Sequence, residues 1–471
     1  MHKPFATVCI RAITLMVLVA LAGCASRPDT AKVPPEFPAG FSRTGQQPIS
    51  ELWWQSFNDT QLNGLVNRAL EDNLSLRASY QRLLQARATA TQQAAGLFPS
   101  LDASLGAERE ETETTRSDSF SAGLSASYEV DLWGRVQSLT EAEELRARAS
   151  QADYHAAAVS LSGEITNTWF QLVEQRGQLQ LALNQLETNH NLLTLIETRF
   201  AAGQSGSADV LRQRQLVSSS RERVNNIEGE IGVLKNQLSV LLGQAPGQAP
   251  LPEGERLPEL PPLPETGVPA DLVQRRPDIQ QAWRLVRAAD QDLAAAISNR
   301  FPRFSLDASV TSRADDASDL FDNWLATLAG NLMMPLIDGG QRRAEVTRSE
   351  AVLEERVLQY RETVLTAIQE VEDALVQERQ QRQRVDSLEQ QIGMAEASYR
   401  QLRTRYLNGA VSYIEVLNAL QDQQDLQRTR LTARQQLLNA RVALYRALAG
   451  SIEGPEDAGE RPTHSMENDQ A

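Results

Sequence analysis

Cysteine is almost absent from this chain: Cys9 and Cys24 are the only two in 471 residues, and the four histidines (His2, His155, His190, His464) lie far apart. That supply builds neither a disulfide framework nor a Cys/His metal cluster. Long apolar runs are missing as well. None reaches the ~18 residues of a membrane-spanning helix, so a polytopic helical membrane protein is excluded. Basic residues fall short of acidic ones, 46 against 61, for a net charge of −15, and only 5% of residues are aromatic. This balance argues against nucleic acid as a partner. No Walker A loop or dinucleotide fingerprint occurs, and Gly203-Gln204-Ser205-Gly206-Ser207 lacks the last glycine of a nucleophile elbow. The chain is expected not to be an enzyme and to need no cofactor beyond a covalent lipid. Proline is absent from two very long intervals, between Pro99 and Pro246 and between Pro335 and Pro455. Both intervals are free to form very long helices.

What is present begins with an address. Lys3 and Arg11 flank the start of a short apolar run, Ile13 to Ala22, which reads as a secretory signal over residues 1–23. Leu21-Ala22-Gly23-Cys24 resembles the lipobox of bacterial lipoproteins, in which Cys24 takes lipid on its thiol and becomes the new N-terminus. The alternative is an ordinary signal peptide beside an incidental cysteine. Ala25, rather than Asp, after the lipidated cysteine resembles outer-membrane sorting.

The chain is written twice. Leu97-Phe98-Pro99-Ser100-Leu101-Asp102-Ala103-Ser104 returns as Phe301-Pro302-Arg303-Phe304-Ser305-Leu306-Asp307-Ala308-Ser309, Asp131-Leu132-Trp133-Gly134-Arg135 as Asp338-Gly339-Gly340-Gln341-Arg342, and Arg199-Phe200-Ala201-Ala202-Gly203 as Arg405-Tyr406-Leu407-Asn408-Gly409. The near-constant offset marks a tandem duplication. The repeats are residues 24–243 and 271–450, joined by an extended connector, 244–270, that holds eight of the 20 prolines. The polar tail 451–471 is expected to be disordered.

Each repeat carries two kinds of element. Val346, Leu353, Val357, Tyr360, Val364, Ile368, Val371 and Leu375, then Val385, Leu388, Ile392, Ala395, Tyr399, Leu402 and Tyr406, step by threes, fours and a seven. That is a heptad seam. Leu179, Leu183, Leu186, Leu193, Ile196 and Phe200 repeat it more loosely in the first half. Helical hairpins are therefore predicted over 135–243 and 342–450. Ahead of each lies a strand hairpin, over 97–131 and 301–338. Phe120, Ala122, Leu124, Ala126, Tyr128 and Val130 alternate with serines, Gly123 and Glu129, so one face is apolar and the other small and polar. Leu101, Ala103, Leu105 and Ala107 pattern a partner, and Phe304, Leu306, Ala308 and Val310 a third strand. The fourth strand, about Asn323 to Ile337, alternates less cleanly: Trp324, Ala326, Leu328, Leu332 and Met334 share one face, but Leu325 and Met333 fall on the other, which leaves its register open.

Strands apolar on one side and polar on the other suit a transmembrane β-barrel. Four strands cannot close one, so the chain must associate, and two, three or four copies would all serve. On helical periodicity alone a coiled-coil rod would be the plainer reading. A rod, however, needs no serine-lined face.

Over residues 50–450 the sequence resembles the outer membrane efflux proteins of the TolC type, in the lipidated branch serving resistance-nodulation-division pumps. The marks are Tyr128-Glu129-Val130-Asp131-Leu132-Trp133-Gly134-Arg135, Arg275-Arg276-Pro277-Asp278-Ile279, Pro335-Leu336-Ile337-Asp338-Gly339-Gly340 and the paired Arg/Gly tips. The resemblance implies a mixed fold: a homotrimer with a 12-stranded barrel in the outer membrane of a Gram-negative bacterium, continued across the periplasm by a barrel of coiled helices. It implies an exit duct that passively conducts small toxic compounds or drugs, with a periplasmic adaptor and an inner-membrane pump as partners. A duct for protein or metal export is the alternative within this fold; a poreless structural lipoprotein is the alternative outside it.

The resemblance also implies residue roles. The hairpins turn at Gly203 and Gly409 and face the adaptor, with Arg199 and Arg405 as its contacts; the plainer role for both arginines is a cation at a helix C-terminus. Asp209 and Glu415, just past the turns, become a ring of carboxylates at the periplasmic aperture, although first-turn helix acids need no such role. Many relatives carry a second acid where this chain has Asn418, so a double ring is not expected. Tyr406 is expected in the core, near the closed end.

Overall fold

The computed structural model describes residues 38–254 and 256–449. The signal segment 1–23, Cys24 and the tail 451–471 lie outside the described residues. After a 3₁₀ turn at Trp53–Phe57 come α1 (Thr60–Asp72), α2 (Leu74–Ala94), β1 (Ser100–Glu111), β2 (Arg116–Val130), α3 (Arg135–Ala201) and α4 (Ser207–Leu241). The second half gives α5 (Pro269–Arg275), α6 (Pro277–Ser298), β3 (Arg303–Ala314), β4 (Trp324–Met333), α7 (Gln341–Leu407) and α8 (Tyr413–Leu448). Helices α3 and α7 have 67 residues each, so at ~1.5 Å per residue each runs ~100 Å.

The two repeats share one antiparallel sheet in the order β1-β2-β3-β4. Its register sorts the side chains as the alternation predicts. Leu101, Ala126, Ala308 and Leu328 form one rung of the apolar face, and Ala103, Leu124, Val310 and Ala326 the next. Asp102, Ser125, Ser309 and Thr327 form a rung of the opposite face. Among the described residues nothing covers the apolar face: Leu105 is 83% and Leu328 81% exposed. Both outer strands, β1 and β4, present an unpaired edge.

Proline trims the predicted limits. β4 ends at Met333, not near Ile337, because Pro335 has no N–H for the ladder. β3 likewise begins after Pro302 and β1 after Pro99. The connector is extended only to Val268; Pro269 opens α5 at its first position, where a missing N–H costs nothing.

Helices α1, α2 and α6 were not anticipated from the periodicity of the long segments. Asp59 starts α1 by accepting the N–H groups of Gln61 and Leu62, and Leu62, Leu65, Val66 and Ala69 line its buried face. Asp59 Oδ2 also accepts the indole N–H of Trp169 at 2.7 Å, tying α1 to α3. Beside it Trp53 stacks on Tyr445 (5.7 Å between centroids) and Phe57 meets Phe170 edge-on (5.0 Å). Trp53 and Trp54 are fully buried, and each large side chain so placed stabilises the fold by about 2 kcal/mol or more.

Where the long helices cross this middle region, the connector is strapped to them. Arg176 donates to the carbonyl of Pro252 at 2.9 Å. Arg441 on α8 donates to the carbonyls of Pro261 and Pro262 and clasps the Glu378 carboxylate of α7 through Nε (2.6 Å) and Nη2 (2.8 Å). Arg276, in the Arg-Pro-Asp motif, joins α6 to both: it pairs with Asp278 (2.6 Å) and with Glu370 of α7 (2.7 Å) and donates to the carbonyl of Ala447 on α8 (3.2 Å).

The α7 seam is buried at Val346, Leu353, Val357, Tyr360, Val364, Val371, Leu375, Val385, Leu388, Ile392 and Tyr406. On α3 the buried row runs one residue ahead of the predicted seam until the two meet at Ile196. Leu183 and Phe200 are exposed, and the buried row is Glu174, Gln178, Ala182, Gln185, Asn189, Leu192 and Ile196. Its steps of three and four are those of a heptad, but polar residues hold most of the positions that a hydrophobic count would assign to leucine.

Candidate conduction path and helical tips

Both helical hairpins close with the same backbone device. Gly203 N–H donates to the Phe200 carbonyl (2.9 Å) and Gln204 N–H to the Arg199 carbonyl (2.8 Å); Gly409 and Ala410 repeat this onto Tyr406 and Arg405, each at 2.9 Å. This is the Schellman arrangement, and it puts Gly203 at φ +73° and Gly409 at φ +77°, where a Cβ is strained. Asp209 and Glu415 then fall in the first turns of α4 and α8.

The two tips are not equivalent. Arg199 is half-buried, with its guanidinium carbon 4.9 Å from the centre of the Tyr406 ring, whereas Arg405 is exposed. Arg199 Nε and the Tyr406 hydroxyl are buried and lack a hydrogen-bond partner among the described residues. Asp209 accepts from Ser205 Oγ at 3.1 Å and from Arg212 at 3.4 Å. Glu415 caps its own helix, accepting the Ser412 N–H (3.1 Å) and Oγ (2.9 Å). These bonds, with the nearby Arg405 charge, hold its carboxyl below the usual glutamate range. A cleft of about 430 Å³ brings together Arg199, Gly203, Asp209, Tyr406 and Gly409, with Tyr413 at its wall. Arg405 and Glu415 are not part of that lining.

Behind the tip runs a polar seam that hydrophobic patterning misses. Tyr413 donates its hydroxyl to Gln213 Oε1, and burial pushes that phenol well above its ordinary range. Gln213 Nε2 donates to the Asn189 carbonyl (2.6 Å), and Asn189 bonds Gln424 and Ser220. Arg428 donates to Gln185 Oε1 at 2.7 Å; burial, aided by Arg223, lowers its guanidinium to about 10. Farther along, Gln178 (2.8 Å) and Thr432 (3.0 Å) donate to Glu174, whose buried carboxyl is pushed up by desolvation. The signal was present in the sequence as glutamine and asparagine at heptad steps.

At the other end, the polar sheet face is mostly serine, glycine and threonine, with Leu325 and Met333 of β4 also on it and Glu129, bound by Arg135, and Asp307 as bonded carboxylates. Asp307 accepts from Ser127 (2.9 Å), Asn331 (2.8 Å) and Ser305 (3.2 Å). A face of small hydroxyls suits passing water and solutes. The described residues hold no group of His, Cys, Asp and Glu arranged for a metal ion.

Comparison with known proteins agrees with this geometry. The sequence profile described as "Outer membrane efflux protein" matches residues 65–244 and 268–450. The pyoverdine export outer membrane protein OpmQ of Pseudomonas aeruginosa is 34% identical over 434 residues, which cover 87% of this chain and 90% of that protein. The cation efflux system protein CusC of Escherichia coli K12 is 26% identical over 92% of this chain and 98% of its own length. The crystal structure of the outer membrane protein VceC from Vibrio cholerae superposes with a TM-score of 0.78 at 26% identity, over 86% of this chain and 100% of that one.

Proposed function

The chain belongs to the outer membrane efflux protein family, and from that premise we propose that three copies form the exit duct of a tripartite system, passing small toxic compounds from a resistance-nodulation-division pump and its adaptor to the exterior. The observation that carries this reading is the sheet: four strands, one apolar face, one hydroxyl-lined face and two unpaired edges. The uncovered apolar face suits lipid, but unpaired edges are tolerable there only when neighbouring copies complete the ladder, and three copies supply twelve strands. The helices carry a matching stripe. Leu358, Leu365, Val376 and Met394 on α7 are exposed and separated by 7, 11 and 18 residues, close to whole turns of one helix face. A second copy of the helical wall covers such a stripe.

Cys24 anchors the duct to the outer membrane through lipid. Arg199, Gly203, Arg405 and Gly409 present the tips to the adaptor, and Asp209 with Glu415 line the periplasmic aperture. In the trimer these are six carboxylates around one constriction, a ring that attracts cations and repels itself. Names among the relatives span pyoverdine, cations and solvents, in keeping with cargo chosen upstream, in the pump. A poreless rod would leave the hydroxyl-lined sheet face without a use.

Planar-bilayer conductance of the purified, lipidated protein, alongside the Asp209→Ala, Glu415→Ala double variant, tests the reading. Small cation-selective openings whose selectivity falls in the variant are expected. Unchanged conductance and selectivity would remove the aperture role, and folded oligomers that never conduct, even with adaptor added, would overturn the duct.

A further inference from the structure

Where β2 and β3 leave the sheet towards the helices stands an exposed aromatic pair. The Trp133 and Phe301 rings stack at 5.0 Å and 26°. The indole N–H donates to the Pro302 carbonyl (2.8 Å) and Ser298 Oγ donates to the Trp133 carbonyl (2.8 Å), so the pair is held rigidly by its own backbone. Yet both rings remain more than a third exposed, as does Leu132. The next residue in the chain before Phe301 is Arg300, also exposed.

We propose that Trp133, Phe301 and Leu132 form an interfacial anchor seated among the phospholipid headgroups of the periplasmic leaflet, with Arg300 offered to their phosphates. The proposal rests on the duct reading, in which the apolar sheet face meets lipid. Position selects the occupant. A second copy joins at the β1 and β4 edges, but Trp133 and Phe301 flank the central β2–β3 pair, away from either edge. The tips that meet the adaptor lie the whole length of α3 away. The pair is also continuous with the apolar face through Val130 and Phe304, its last rung.

Length agrees. From Val130 to Phe120 is ten steps of β2, ~33 Å of strand, which at a barrel tilt of roughly 40° is ~25 Å of membrane depth. One step beyond Phe120 the same face carries the Arg109–Asp118 ion pair (Nη2 to Oδ2, 3.0 Å). Charge thus returns to this face where the hydrocarbon should end, and the Trp133 pair stands at the opposite boundary. Such tilted strands place aromatic girdles at both levels.

The test uses the full-length, lipidated protein in vesicles of phosphatidylethanolamine and phosphatidylglycerol whose chains are brominated either near the headgroup or near the chain end. Trp133→Phe keeps the stack, and retained conductance shows that it folds. Subtracting its tryptophan emission from that of the parent isolates Trp133; Trp324→Phe isolates Trp324, which is exposed on the same face near its other end. The anchor requires the Trp133 signal to lose most of its intensity with shallow bromines and less with deep ones. An unquenched Trp133 beside a quenched Trp324 would refute the anchor and leave the duct standing. Were neither signal quenched, the lipid-facing reading of the sheet would fall with it.

Discussion

The Glu378–Arg441 clasp is the sharpest place to strike this fold. Arg441 is 0% and Glu378 3% exposed, and both guanidinium–carboxylate contacts are short. Glu378→Leu leaves a buried cation facing hydrocarbon and the Pro261 and Pro262 carbonyls. Removing one partner of such a pair costs about 3–5 kcal/mol, because the remaining charge is desolvated without compensation. Arg441→Met strands the carboxylate and should cost a similar amount. The double variant Glu378→Leu, Arg441→Met removes both charges, and apolar replacement of a whole pair is near neutral. What it retains is the loss of bonds to the two connector carbonyls, about 1–3 kcal/mol in all. Denaturant unfolding of the four proteins, followed by helical circular dichroism, closes the cycle, and protease nicking within residues 245–260 reports release of the strap. Single variants within ~1 kcal/mol of the parent, or a double variant as costly as the sum of its parts, would refute the account of this clasp.

Other consequences are testable at the tip and along the seam. Gly203→Ala and Gly409→Ala should each cost about 1–2 kcal/mol, since alanine must adopt a left-handed backbone; faster amide exchange confined to the tips would register it. Tyr413→Phe leaves Gln213 Oε1 without its donor, a loss of about 1 kcal/mol, and should raise the open probability in bilayer recordings. Glu174, whose folded carboxyl is raised, binds its proton more tightly folded than unfolded, so its contribution is present at acid pH and is lost as pH rises above the ordinary glutamate range. Glu174→Gln should flatten that slope in unfolding measured across pH.

The architecture was legible because its periodicities are long and carry one meaning each. Sixty-seven residues without proline, with apolar residues every three or four, leave little besides a helix at α7, and the alternation from Phe120 to Val130 sorts the two sheet faces correctly. The limits failed at Pro302, Pro335 and Pro269, where one residue's missing N–H decides, and pattern windows blur such single positions. Helices α1, α2 and α6 escaped because they are short and defined by caps such as Asp59 more than by repeat. At the tips, the duplication suggested twin sites, but Tyr406 in one repeat and Phe200 in the other break the symmetry: only the tyrosine is buried beneath Arg199. The seam of Glu174, Gln178, Gln185 and Asn189 was invisible to any search for leucine.

The sheet order has a consequence for how the chain comes to exist. Neither hairpin is completed by its sequence neighbour: the β2–β3 ladder pairs Ser127 with Asp307 and Val130 with Phe304, residues some 180 apart. Contacts between such distant positions form late, since a long loop must close before any pair rewards it. The first hairpin therefore waits, one strand edge bare, until almost two hundred further residues have been synthesised, exported and folded into helices. During that interval it is an open template for wrong partners. The charges near its turn, from Glu108 to Asp118, are suited to discouraging premature pairing, and a chain truncated after the first repeat should accumulate as aggregate rather than as half a channel.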